Sequence, residues 1–223
     1  MHILLTDILT CPRCGPEFGL ILLADRLDDR RVVEGRLGCA NCREQYPVHH
    51  GAVDVRVPGA APDDTPPSAG AEVGDAKEAA VRLAALLGLA GAQGTVLIAG
   101  PGAALAGDLA ALLPEVQAVA FTAKPGDVDG GPDVTPMAGS VARLPFRGGR
   151  LRGVALTGGA SAAGLAEGLR VLQTGARLVV ESAPEGTADA LDRLGAQVML
   201  DQEGTVVARA LGEPVQLRVN ALR

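Results

Sequence analysis

Tryptophan is absent from this 223-residue chain, tyrosine occurs once (Tyr46), and phenylalanine three times (Phe18, Phe121, Phe146). So few rings argue against a base-stacking surface for nucleic acid. They also leave the core to Ala, Val, Leu and Ile, which the 48% hydrophobic content can supply. An excess of positive charge is missing too. Twenty Lys and Arg against 26 Asp and Glu give a net charge of −6, the opposite of what gripping phosphates requires. No apolar run reaches the ~18–20 residues that span a bilayer. The segment from Met1 to Asp7 has no basic region and meets an acid too early for a signal peptide. The expectation is a soluble, cytoplasmic protein, with no membrane segment and without nucleic acid as its main direct ligand.

The cysteines are few and confined to the first 42 residues, as Cys11-Pro-Arg-Cys14 and Cys39-Ala-Asn-Cys42. Each C-x2-C pair places two thiolates on one tight knuckle, and two knuckles complete a tetrahedral shell. Disulfides do not suit a chain without an export signal, and a redox C-x-x-C would not need a matching second pair. The spacing predicts a structural zinc site on Cys11, Cys14, Cys39 and Cys42; four cysteines alone do not separate zinc from iron. A full thiolate shell leaves no open position for chemistry. Leu20 to Ala24 and Arg31 to Leu37 read as strands flanking an Asp28-Asp29 turn, and Ala52 to Val57 as a further alternating strand. His49 and His50 read as solvated turn residues, since the shell is complete without them.

Three strings carry a resemblance. The block Leu4-Leu5-Thr6-Asp7-Ile8-Leu9-Thr10-Cys11-Pro12, the second pair Cys39 and Cys42, and Tyr46-Pro47 with Gly51 resemble the small zinc-ribbon activator subunits of methyltransferases. The likeness covers residues 1–57 and implies a ribbon whose apolar face docks a methyltransferase-type domain. Residues 58–74 hold four Pro, three Gly, three acids and no base, which predicts a linker; a long ordered loop has the same composition.

From Asp75 the pattern alternates between helices and strands. Asp75 reads as a helix cap with Glu78 three residues on, ahead of an apolar periodicity running to Leu89. Strands are expected at Thr95–Ala99, Val116–Phe121, Leu151–Leu156 and Ala176–Glu181, with helices at Ala103–Leu113, Ala162–Leu172 and Gly186–Leu194. A loop is expected from Lys124 to Pro136. Gln197–Leu200 and Thr205–Ala210 read as a closing antiparallel hairpin. Such alternation implies a largely parallel sheet covered on both faces. The fold expected is α/β: a β-rich ribbon at 1–57, a linker at 58–74, and a Rossmann-like domain at 75–223.

Val96 to Gly102, Ser140 to Phe146 and Glu167 to Val179 together resemble class I S-adenosylmethionine-dependent methyltransferases. The resemblance places Gly100 and Gly102 in the cofactor-binding glycine loop. It also implies four acids, and at the matching positions this chain has Ile98, the Val119–Thr122 strand end, Ser140 and Arg152. Without acceptors for the ribose hydroxyls, S-adenosylmethionine binding is doubtful. No Cys or His follows His50, which removes the commonest nucleophile and general base from this half. No catalytic residue is assigned. The function expected is a zinc-binding, non-catalytic interaction, scaffold or activator subunit, partnered by a methyltransferase or by itself. The alternative is an active methyltransferase carrying its ribbon in cis, and a third reading is a small-molecule binder.

Overall fold

The computed structural model describes residues 1–57 and 75–212; the stretch expected to be a linker lies outside them. The described residues form one sheet of twelve strands. Five belong to the ribbon: β1 (Thr10–Cys11), β2 (Gly15–Asp28), β3 (Arg31–Cys39), β4 (Gln45–His49) and β5 (Ala52–Asp54). Seven follow: β6 (Gly94–Ala99), β7 (Val116–Thr122), β8 (Val134–Ala138), β9 (Leu151–Leu156), β10 (Leu172–Glu181), β11 (Gln197–Gln202) and β12 (Thr205–Arg209). Their order is β1-β2-β3-β4-β5-β8-β7-β6-β9-β10-β12-β11. Within β5 to β10 the neighbours are parallel, and β12 runs antiparallel between β10 and β11. This is the expected α/β fold, a ribbon followed by a Rossmann-like, methyltransferase-type sheet with a terminal hairpin.

Both faces of the parallel strands are apolar, and alternate residues serve different layers. Val96, Ile98, Ala118, Ala120, Ala155 and Val179 point to a layer closed by Leu83 and Leu87 of α1 (Ala76–Leu87) and Leu109 of α2 (Ala106–Leu112). Leu97, Val119, Phe121, Val154, Leu156 and Leu178 point to the other, closed by Leu165 of α3 (Ala162–Val171) and Leu191 of α4 (Thr187–Arg193). The buried residues of the ribbon, among them Leu9, Leu37, Tyr46, Val48 and Val53, all belong to this second layer.

The ribbon joins the sheet along β5, where Val53 and Asp54 pair with Met137 and Ala138. Three further backbone bonds tie the seam: Val55 N–H to the Ala138 carbonyl, Thr10 N–H to Pro145, and Arg147 N–H to Ile8. Arg170 and Glu167 of α3 hold the same segment, Arg170 donating to the Phe146 and Leu144 carbonyls and Glu167 accepting from Leu144 N–H. One apolar face of the ribbon is thus covered within the chain, while Leu4, Phe18, Ile21, Leu23 and Leu27 stay exposed.

Several elements differ from their sequence expectation. α1 begins at its Asp75 cap, which accepts from Lys77 and Glu78 N–H, but stops at Leu87, where Gly88 turns left-handed. The helix expected from Ala103 opens as a 3₁₀ turn over Pro101–Leu105, and the α-helix starts only at Ala106. The loop expected up to Pro136 contains the start of β8. Proline discourages a strand because it cannot donate, yet β5 reaches β8 only at Met137 and Ala138, so Pro136 precedes the doubly paired stretch. His49, read as a turn residue, ends β4. No helix among the described residues is long and apolar enough to cross a membrane.

Candidate functional site

The four cysteines converge. Cys11 ends β1 and Cys39 ends β3, so both enter from strands in the sheet; Cys14 and Cys42 follow on the two turns. All four Sγ atoms lie within 4.8 Å of one another. Cys11 and Cys42 are 3.7 Å apart, and Cys14 and Cys39 are 3.8 Å apart. A tetrahedral ion with metal–sulfur bonds of about 2.3 Å needs S···S edges near 3.8 Å, whereas a disulfide needs about 2.05 Å. All four thiols are free. The donor set could hold a tetrahedral thiophilic ion, and such an ion would brace the two turns against each other.

Electrostatics within the set are uneven. Burial pushes the Cys11 thiol up. Burial acts on Cys39 in the same sense, but N–H groups of Cys42 and Asn41 and the neighbouring thiols outweigh it and bring that group to about 7. Two side chains outside the shell point at sulfur. The Tyr46 hydroxyl is 3.4 Å from Cys11 Sγ, and Asn41 Nδ2 donates to Cys14 Sγ at 3.3 Å. Burial, then contact with Cys11, raises the Tyr46 phenol well above its ordinary value, so it keeps its proton. Neither was read as a donor from sequence, although Tyr46 belongs to a string that carries the resemblance; the signal available was a lone tyrosine four residues after Cys42. His49 and His50 are solvated, as expected, and both face Glu34.

Gly100 and Gly102 follow β6, and Thr157 follows β9, its neighbour. The strand order reverses between these two strands, the crevice where open α/β sheets take their ligands. Here Thr157 bonds across it. Its hydroxyl accepts from Gly102 N–H at 2.8 Å and donates to the Ala99 carbonyl at 2.6 Å. A Cβ on Gly100, where φ is +86°, would overlap the Thr157 carbonyl, and one on Gly102 would lie 2.7 Å from Thr157 Cγ2. The glycines are therefore required by a protein contact.

The positions matched to cofactor-binding acids are engaged otherwise. Ile98 is fully buried under α1 and α2. The Thr122 hydroxyl donates to the Lys124 carbonyl, and Ser140 caps the 3₁₀ turn Val141–Arg143. Arg152 is corrected in place: Gly153 pairs with Val96, near the start of β6, while Gly100 follows that strand's end. Arg152 lies at the opposite end of the sheet from the glycine loop, donating to the Gly88 carbonyl. Arg177 joins it on Ala85 and Leu86, so two cations meet the negative end of α1. Among the described residues, cavities of about 210, 260 and 330 Å³ open away from Gly100, Gly102 and Thr157.

No protein-family model matches the chain, and no curated protein does. Solved structures do. A candidate methyltransferase from Bacillus halodurans is 21% identical, with 55% of this chain and 71% of that chain covered at a TM-score of 0.42. The Burkholderia thailandensis 1,6-didemethyltoxoflavin-N1-methyltransferase, with S-adenosylhomocysteine bound, is 19% identical, covering 62% and 79% at 0.46. A chain of the complex between the Haloferax volcanii Trm112 methyltransferase activator and a candidate methyltransferase is 14% identical, covering 62% and 95% at 0.46. At these scores they carry nothing about activity, and the fold rests on the strand order itself.

Proposed function

We propose that this chain is a zinc-binding, non-catalytic interaction or scaffold protein, in which a methyltransferase-like sheet and its ribbon form one body. The carrying observation is the Thr157 contact across the crevice between β6 and β9. Thr157 uses the Gly102 N–H that would face a cofactor, and its own atoms occupy the space that the two glycines leave. No carboxylate stands at Ile98 or Thr122 to replace what is lost. Zinc on Cys11, Cys14, Cys39 and Cys42 is supported by the sulfur spacing, and its role is to hold the ribbon. One apolar face of the ribbon is taken within the chain, so a protein partner would meet a surface left open, and Phe18, Ile21, Leu23 and Leu27 of β2 are exposed apolar side chains on the ribbon.

Calorimetry with S-adenosylmethionine and S-adenosylhomocysteine tests the first part. No binding is expected from the intact protein, and micromolar binding of either would overturn the reading in favour of an active enzyme. Metal analysis of unchelated protein tests the second: about one zinc per chain is expected, and iron in its place would correct the ion.

A further inference from the structure

Tyr46 is fully buried, and among the described residues the polar group its hydroxyl reaches is the sulfur of Cys11, at 3.4 Å. From this we infer that Tyr46 is a positioning residue of the metal centre, its hydroxyl donating a hydrogen bond to the Cys11 thiolate. The inference rests on the reading of the four cysteines as a metal site.

The direction of the bond follows from chemistry. A thiolate that ligates a metal has no proton to give, so the hydroxyl is the donor. Two structural facts make the placement firm. Tyr46 lies in β4 directly opposite Leu37 of β3, the strand that ends on Cys39. Its ring sits in the shared layer with Leu9, Leu37, Val48 and Phe146, so it is locked by packing from ribbon and sheet alike. A buried phenol left without a partner would be costly, and Cys11 is the partner available. The donor draws charge from one sulfur and fixes the orientation of that ligand, as outer-shell partners do for metal-bound residues. It also makes Cys11 less nucleophilic than an unbonded thiolate would be.

Asn41 offers a built-in comparison. It donates to Cys14 Sγ at 3.3 Å, but from an exposed position where water can replace it. The two donors should therefore differ in effect although their bonds are of similar length.

The test uses the full chain and the variants Y46F and N41A. Y46F keeps the ring and removes only the hydroxyl. Zinc affinity is measured by competition with a chromogenic chelator, and cobalt(II) is used as a spectroscopic probe of the thiolates. Y46F is expected to bind zinc 10–100-fold more weakly and to shift the sulfur-to-cobalt charge-transfer band. N41A should change affinity less than threefold, within what a water-replaceable bond gives. Circular dichroism of the metal-loaded proteins should coincide. Unchanged zinc affinity and an unchanged cobalt band in Y46F would overturn the assignment. The wild-type chain supplies an independent readout. It has no tryptophan and one tyrosine, so its tyrosine emission belongs to Tyr46, and it should change on metal removal. Constant emission counts against a direct bond. If the wild type takes up no zinc or cobalt, the metal reading itself fails, which is distinct from a Y46F that matches a metal-binding wild type.

Discussion

Val53 of the ribbon stands opposite Met137 in a parallel ladder, and that pairing carries the sheet from the ribbon into the Rossmann-like strands. Because the ladder sits over a common apolar layer, the two parts of the chain are energetically linked.

Metal removal should therefore reach past the ribbon. The turns that carry Cys14 and Cys42 lose their brace without an ion, and Leu9, Tyr46 and Val53 are packed on the same layer as Phe146 and Leu156. Chelation is expected to lower the melting temperature of the whole chain by roughly 10–20 °C, the shift that about 5 kcal/mol produces at this size. Helical and tyrosine signals should move together in a thermal melt. An unchanged helical transition would mean the two parts are uncoupled.

Acidification should act through the same sulfurs. The thiolates must be deprotonated to ligate, and Cys39 lies near 7 in the metal-free chain, depressed from its ordinary value. A depressed group contributes stability above its unfolded value and loses it as pH falls through the folded one. Because Cys11 is pushed up while Cys39 is brought down, protons compete for the set already above 7, and zinc affinity is expected to fall steadily as pH is lowered, read by chelator competition across a pH series. Retention that is flat down to pH 5 would contradict this.

Phe146 sits on the seam. It is fully buried, bridges to Leu9 in the ribbon, and its carbonyl accepts from Arg170. F146A should cost about 3–5 kcal/mol in denaturant unfolding. A loss below 1 kcal/mol would show that the ribbon contributes little there.

Thr157 makes its two hydrogen bonds in a buried place. T157V keeps the volume and leaves the Gly102 N–H unpaired, while the Ala99 carbonyl still accepts from the backbone N–H of residue 157, at a cost of about 1–3 kcal/mol. Replacing Gly100 by Ala should be worse, since φ is +86° and the new Cβ meets the Thr157 carbonyl. Equal stability of G100A and the wild type in urea would remove the close contact as the reason for that glycine.

Much of this was legible in the chain itself. Period-two and helical patterns located most strands and all four α-helices, because each element shows its own apolar spacing. The C-x2-C pairs named four residues that converge, since a knuckle is a local motif. Asp75 announced its helix, since a cap acts on the next three residues. What the sequence concealed depends on contacts between distant segments. Pro136 hid β8, whose partners lie 16 residues before it in β7 and some 84 before it in β5. Arg152 appeared to occupy a cofactor position until strand register placed it beside the end of α1. Thr157 was ordinary in sequence, and Tyr46 stood in a string that carries a resemblance but showed no link to a sulfur. One gained its role where β9 meets the β6 turn, and the other where β4 brings a phenol to Cys11. The scarcity of aromatic residues, set by composition alone, determined that this core would be aliphatic. Only tertiary structure could decide that the single tyrosine would face a cysteine sulfur, because that contact spans 35 residues of chain.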